Sequence, residues 1–357
     1  MNIQEHVALA RLTTIRVGGN ARFFVEAKSV ADIIEALAFA SEHSLQVCVL
    51  GGGSNVVIAD EGFDGLVLAM CSSGITYEDL SDRVVVTADA GVVWDDLVAD
   101  TVARGYSGLE CLSGVPGTVG GAVVANIGAY GAQCSDTFVS AEVLDCYDIK
   151  NDLRVFKKDE CDFSYHDSIF GRAHGRYLVV RATFTLSTSG VSKLAYKDNR
   201  FDLEALAGAS GHKPTLAGVR AAILKMRSEK GVLAGSYKSA GSFFHMPYVS
   251  SERYEQIVEV ARSLDAEKEE RLRPWAWKQT DGSYKLAPGF LLEYTEFQKG
   301  YVRGSVGISP KHTLSIINVA DARASDIAQL AHDMHIAVEN IFGVNLEREV
   351  EYIGAVT

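Results

Sequence analysis

Short apolar runs broken by glycine alternate along this chain with segments whose apolar residues recur three and four apart. Ala21–Val25, Gln46–Leu50, Val56–Ile58, Gly65–Ala69 and Arg83–Ala88 read as strands. Ser29, with Asp32 three residues on, resembles a capping box, and Ile33, Ile34, Leu37 and Ala38 follow at helical spacing. A helix over Trp94–Arg104 is stopped by Gly105. Val139–Tyr147 and Tyr177–Leu186 are further strands, and Ser187–Lys213 is a polar excursion. From Thr215 the texture changes. A helix over Leu216–Lys225 is followed by an amphipathic one over Ser251–Leu264 and a charged stretch, Asp265–Arg273. Val306–Ser309 and Ser315–Val319 read as strands. Ser325 is placed to cap a last helix carrying Ile327, Leu330, Ala331, Met334 and Val338, with Gly343 ending it. Glu347–Glu351 leads into a final strand, on which Glu347, Glu349 and Glu351 would share one face. Strands and helices alternate without the cadence of a doubly wound sheet, which predicts an α+β chain with boundaries near 215 and 322.

Composition narrows the classes. The 357 residues, 47% hydrophobic and 22% charged, suit two or three globular domains. A net charge of −12 argues against a nucleic-acid binder, yet leaves room for a local basic pocket. No run predicts a membrane span, and the start, MNIQEHVALARLTT, does not read as a signal peptide. The six cysteines are scattered, as buried thiols of a reducing cytosol would be. His332 and His335 stand three apart on the last helix without further ligands in register, so no metal site is expected.

The densest glycine pattern is Gly108–Gln133, almost free of charge after Glu110 and threaded with Leu109, Leu112, Val115, Val119, Val123, Val124 and Ile127. It reads either as tight turns between core strands or as a bed for a large cofactor held by main-chain N–H groups. Gly51-Gly-Gly-Ser-Asn55 joins two strands. No Gly-x-Gly-x-x-Gly opens a helix, so a Rossmann fingerprint is absent, as is a Gly-Lys-Ser/Thr phosphate loop.

Eight motifs in order carry a more specific resemblance. Thr14-Ile-Arg-Val-Gly-Gly19, Leu50-Gly-Gly-Gly-Ser-Asn55, Gly114-Val-Pro-Gly-Thr-Val-Gly-Gly-Ala122 and Asn126-Ile-Gly-Ala-Tyr-Gly131 are four of them. Ser164-Tyr-His-Asp-Ser168, Ala240-Gly-Ser-Phe-Phe244, Asp281-Gly-Ser-Tyr-Lys-Leu-Ala287 and Leu346-Glu-Arg-Glu-Val350 complete the set. Together, from about residue 10 to about 354, they resemble the UDP-N-acetylenolpyruvoylglucosamine reductases, with the excursion around Tyr196 similar to the loop of the type I members. The resemblance implies an FAD-binding domain of the vanillyl-alcohol-oxidase type in two α+β subdomains, residues 1–70 and 71–214. Residues 215–321 would form a smaller α+β substrate domain, and 322–357 would pack back near the active site. It implies non-covalent FAD, with Cys111 and Cys134 the thiols near enough to keep in view, and NADPH as hydride source. A cytoplasmic monomer acting on a UDP-sugar would follow.

The same resemblance assigns residues. Gly51, Gly52, Gly53, Ser54, Asn55, Gly114, Pro116, Gly117, Gly120, Gly121, Asn126, Gly128, Ala129 and Tyr130 would bed the cofactor. Ser242 would donate the proton at the substrate's C2 and Glu349 would offset charge at its carboxylate. Tyr165 would stand at the flavin or the substrate, and Tyr196 and Lys230 at the UDP diphosphate. As residues alone, Ser242 also reads as a turn hydroxyl, Glu349 as a strand-edge acid, Tyr165 as a core tyrosine and Lys230 as a solvated helix end. The chain departs from the family at His166, where arginine is usual, with Arg172 near enough in sequence to compensate. Met246 stands where asparagine is frequent, and Glu351 where a basic residue is common. Histidine lacks the bidentate fork and carries charge only when protonated. These departures keep open a related oxidoreductase of altered substrate, or a catalytically silent flavin-binding regulator.

Overall fold

The structure, a computed structural model, describes residues 1–147, 152–192 and 214–356. It separates into two compact units. One holds Met1–Val7, Ala21–Gly53 and Phe63–Ala234, and the other Ala8–Asn20, Ser54–Gly62 and Gly235–Thr357.

The first unit contains two sheets. Strands Gln4–Ala8, Asn20–Ala27, Phe63–Met70 and Val47–Leu50 form one in that spatial order, with the last three parallel. Helix Val30–Glu42 begins at the expected capping box, Ser29 with Asp32, and buries Ile33, Ala36, Leu37 and Ala40. The second sheet is antiparallel, in the order Arg154–Lys157, Phe138–Asp145, Tyr177–Ser187, Arg83–Asp89, Ile75–Asp79. Its central strands alternate buried and half-buried positions. One continuous core joins both sheets, running from Val25, Leu37 and Leu68 to Val86, Trp94, Val123 and Phe184. The edge strands Gln4–Ala8, Ile75–Asp79 and Arg154–Lys157 have no sequence expectation behind them. Their exposed positions dilute the alternation that marks the others.

Helix Leu216–Glu229 belongs to this first unit, so the unit boundary lies at Ala234–Gly235, beyond the texture change at 215. Two arginines hold it there. Arg220 grips Asp95 with both guanidinium nitrogens, at 2.6 and 2.9 Å, and Arg227 donates to the Gly114 carbonyl at 3.0 Å. These two arginines therefore clamp the helix to the first unit.

The second unit draws on three segments. Ile15, Val17 and Val57 enter the core formed by Phe243, Ile257, Phe290, Leu330, Met334 and Val350. Val56–Ile58 pairs in parallel with Glu351–Ile353. Two three-stranded antiparallel sheets complete it, Tyr248–Val249 with Tyr284–Leu286 and Ala276–Lys278, and Val302–Arg303 with Val306–Ile308 and Ile316–Asn318. Residues 322–357 thus lie with 235–321 in one unit. The final strand starts at Glu351, whereas Glu347 and Glu349 flank the bridge at Arg348, so the three acids do not lie along one strand; Glu347 and Glu351 are exposed and Glu349 is half-buried.

The last helix, Ala324–Phe342, is capped differently from the sequence expectation. Its N-cap is Arg323, and Ser325 lies inside the first turn. The carboxylate of Asp60 accepts from the Ala324 and Ser325 N–H groups and from Ser325 Oγ, at 2.8, 3.1 and 2.8 Å. Burial raises the Asp60 pKa, but these bonds and Arg323 outweigh it and hold the carboxyl below its usual value. A depressed folded-state pKa adds stability above the unfolded value, about 3.9, and that stability is lost as pH falls through the folded value. Asp60→Asn should therefore cost about 1 to 2 kcal/mol near neutrality. In urea melts the gap to wild type should narrow steadily below about pH 4.

Candidate active site

In the first unit the expected site residues lie on loops that the core sheets hold in place. Gly114 is gripped at both backbone groups, its N–H by Asp95 at 2.6 Å and its carbonyl by Arg227. Burial pushes the Asp95 carboxyl up, and Arg220, the Gly114 N–H and Arg227 together pull it lower. Gly117 and Gly52 bring the two glycine-rich loops together, since a Cβ on Gly52 would stand 2.7 Å from Gly117 Cα. Thr118 caps the short helix Val119–Val124, whose Val119 and Gly120 N–H groups go to Val92 and Ala90 carbonyls. Those two N–H groups are therefore taken by the fold. Pro116 is half-buried, Gly53 is buried, and Gly128 and Ala129 open a two-stranded hairpin with Ala132–Gln133.

Asn126 is 1% exposed with φ of 39°. Its side chain is committed to the protein, donating to the Ser164 carbonyl at 2.7 Å and accepting from Ser135 N–H at 3.0 Å. It anchors the turn Ser164–Asp167, closed by paired backbone bonds of 3.0 and 3.3 Å. Tyr165 and His166 stand at the turn's tip, ring centroids 4.4 Å apart, with His166 at φ 52°. A β-branched or bulky residue rarely tolerates that region, and such outliers cluster at functional sites. His166 Nε2 lies 3.6 Å from the Cβ position of Gly128. Arg172 does not stand in for the family arginine. It is bound by Asp162 at 2.6 Å and by Asp167.

Lys230 ends helix Leu216–Glu229 and lies over the Tyr130 ring, 5.5 Å from its centroid. A residue expected at the cofactor and one expected at the diphosphate are thus neighbours. Tyr196 falls outside the described residues.

The second unit holds Ser54, Asn55, Ser242 and Glu349. Segment 243–245 runs antiparallel to 347–349 through Glu349 N–H to Phe243 carbonyl at 3.0 Å and His245 N–H to Glu347 carbonyl at 2.9 Å. Ser242 is half-buried just ahead of Phe243, which is fully buried and bonded to the Leu314 carbonyl. Asn55 secures the other side of the acid's segment. Its Nδ2 donates to the Glu349 carbonyl at 3.2 Å and its carbonyl accepts from Glu351 N–H at 3.0 Å. Met246 is half-buried beyond the ladder.

Two side chains that the sequence reading passed over face Glu349. His245 Nδ1 lies 3.8 Å from Glu349 Oε2. Burial pulls the Lys285 ammonium down to about 8, against the opposing pull of Glu349. Lys285 sits inside the Asp281–Ala287 motif and so was in view; its proximity to an acid 64 positions on was not.

A family model for the C-terminal domain of UDP-N-acetylenolpyruvoylglucosamine reductase matches residues 234–353, and one for an FAD binding domain matches 21–148. The UDP-N-acetylenolpyruvoylglucosamine reductase of Thermobifida fusca is 38% identical over 98% of this chain and 98% of its own length. The chain belongs to the UDP-N-acetylenolpyruvoylglucosamine reductase family. The reductase of Pseudomonas fluorescens is 37% identical over 98% of each chain. The fold is that of the reductase from Thermus caldophilus, matched at 23% identity and TM-score 0.66 over 99% of this chain and all of that one.

The first unit's residues fit the cofactor that the FAD binding domain implies. Gly121 is exposed, has no positive φ, and a Cβ there would meet nothing nearer than Thr118 Oγ1 at 3.7 Å. Gly128 is likewise unconstrained, its nearest neighbours at 3.6 Å. Glycine at these two positions is not demanded by the protein itself, so it keeps room for something else. Cys111 and Cys134 do not offer thiolates for a covalent link. Both are buried, and burial with Glu110 nearby pushes Cys111 up to about 12.

Asn126→Ala should leave the Ser135 N–H without its acceptor, remove one of the two bonds to the Ser164 carbonyl, and put at positive φ a residue less tolerant of it than asparagine. A loss of about 2 to 4 kcal/mol is expected in chemical denaturation, with faster amide exchange at Ser135.

Proposed function

We propose that this protein reduces the enolpyruvyl ether of UDP-N-acetyl-3-O-(1-carboxyvinyl)-glucosamine to UDP-N-acetylmuramate, with NADPH as hydride source. The observation that carries the reading is full-length kinship to the named reductases together with the Ser242–Glu349 arrangement. Bound FAD supplies the hydride relay between NADPH and the substrate's C3. Gly51–Gly53 and Gly114–Tyr130 form its bed, with Asn126 acting through the Ser164–Asp167 turn rather than by touching it.

Hydride arriving at C3 leaves negative charge on C2 and the adjacent carboxylate, so the chain must offset charge and deliver a proton. Ser242 holds that proton on Oγ, beside the buried Phe243 that excludes water. Glu349, in its carboxylic acid form, donates a hydrogen bond to the developing enolate-like group, and His245 and Lys285 face it. The Lys285 cation is present below about pH 8 and is lost as pH rises through it. Tyr165 stands at the flavin or the substrate, and His166 beside it serves as cation or donor to the substrate carboxylate. Lys230 and Tyr196 hold the diphosphate, with Tyr130 steadying Lys230. The reading places the reaction in the cytoplasm, with the chain a monomer.

Purified protein should be yellow, bleach on NADPH, and recover its absorbance when the enolpyruvyl substrate is added. Ser242→Ala should bleach normally but recover roughly a thousandfold more slowly. Colourless protein that takes up no FAD would sink the reading. His166→Arg, which supplies a permanent cation with a bidentate fork, should raise kcat/KM for the enolpyruvyl substrate. An unchanged kcat/KM would remove the role given to His166.

A further inference from the structure

The second unit contains a groove of about 390 Å³ that none of the residues assigned above lines. That volume lies within the range of small-molecule sites, roughly 300 to 1,000 Å³. Phe244, Ala331 and Leu346 contribute apolar surface, and Gln329, His332, His335 and Arg348 contribute polar groups. Phe244 and Arg348 are bridge partners in the ladder that carries Glu349. Neighbours along an extended chain point to opposite faces, so the groove lies on the face away from Phe243 and Glu349.

Its charge is at odds with the rest of the chain. The protein carries a net −12, yet the groove's lining includes one arginine and two histidines and no Asp or Glu. Arg348 is exposed and makes no ion pair among the described residues. Its guanidinium carbon lies 3.6 Å from the Tyr352 ring centroid, so the side chain is held over the ring. An arginine already ordered loses little further freedom when an anion arrives, and its fork suits carboxylate or phosphate. Gln329, His332 and His335 stand three apart on helix Ala324–Phe342 and so line one side of it. His335 is partly occupied, since Nδ1 takes the Leu346 N–H at 3.3 Å and Nε2 stands 3.6 Å from Glu339.

We propose that this groove is a second ligand site, for a small organic anion with one carboxylate or phosphate on a flat apolar body. The anionic group sits on Arg348 and His332, and the body lies over Phe244 and Leu346. The site is independent of the reductase reading, because none of its residues has a part in the reaction.

Calorimetric titration of the purified full-length holoprotein with phenyl phosphate, and separately with benzoate, tests this. Saturable uptake of at least one probe is expected, and the tighter of the two identifies the phosphate or the carboxylate as the group recognised. Arg348→Gln and His332→Gln should each weaken that uptake, the first by roughly tenfold or more. Lys230→Ala, in the other unit, should leave it unchanged. Melting curves check that each variant is folded, and either of the two groove variants alone suffices. Failure of both probes to saturate at millimolar concentration would overturn the proposal. So would equal binding by the folded groove variants, or loss of binding in Lys230→Ala.

Discussion

The chemistry of the second unit depends on a short backbone ladder, 243–245 against 347–349. Two inter-strand hydrogen bonds of about 3 Å set the height of Glu349 relative to Ser242. The alternation of side chains then sorts everything around it. Phe243 and Glu349 go to one face, and Phe244 and Arg348 to the other. Asn55 grips the same segment from a different part of the chain, through the Glu349 carbonyl and the Glu351 N–H. A hydroxyl on a turn and an acid on an irregular segment would otherwise be loosely placed, since neither sits within a long strand or helix.

The first unit solves a different problem, that of bringing two glycine-rich loops close without collapse. Packing fills the space at Gly52 and Gly120, while Gly121 and Gly128 are left with room. Charged side chains hold the loop from behind. Asp95 and Arg227 bind the backbone of Gly114 and Arg220 binds Asp95, which ties helix Leu216–Glu229 to the loop and places Lys230 over Tyr130. A half-buried charge pair such as Arg220–Asp95 fixes geometry at little net gain in stability.

Much of the fold was legible along the chain. Capping at Ser29, the stop at Gly105, the alternating strands around Val86 and Phe184, and the end of the last helix at Gly343 are local signals, and they appear where expected. Exposed edge strands escaped because half their positions carry no burial signal. Ser325 looked like a cap because a serine before an apolar run usually is one; the actual acceptor is Asp60, 264 residues earlier.

The sequence by itself determined the family, since eight motifs in register do not depend on folding to be counted. Only the tertiary structure decided which glycines are needed by packing, that Asn55 and Asn126 serve the protein's own backbone, and that His245 and Lys285 face Glu349. It also decided that Arg172 is held by two aspartates, and so is not a substitute for the arginine missing at 166. The physical reason is common to all of these. Propensity, capping and periodicity act over a few residues, whereas hydrogen-bond partners and electrostatic neighbours are chosen by chain segments that folding brings together from hundreds of residues apart.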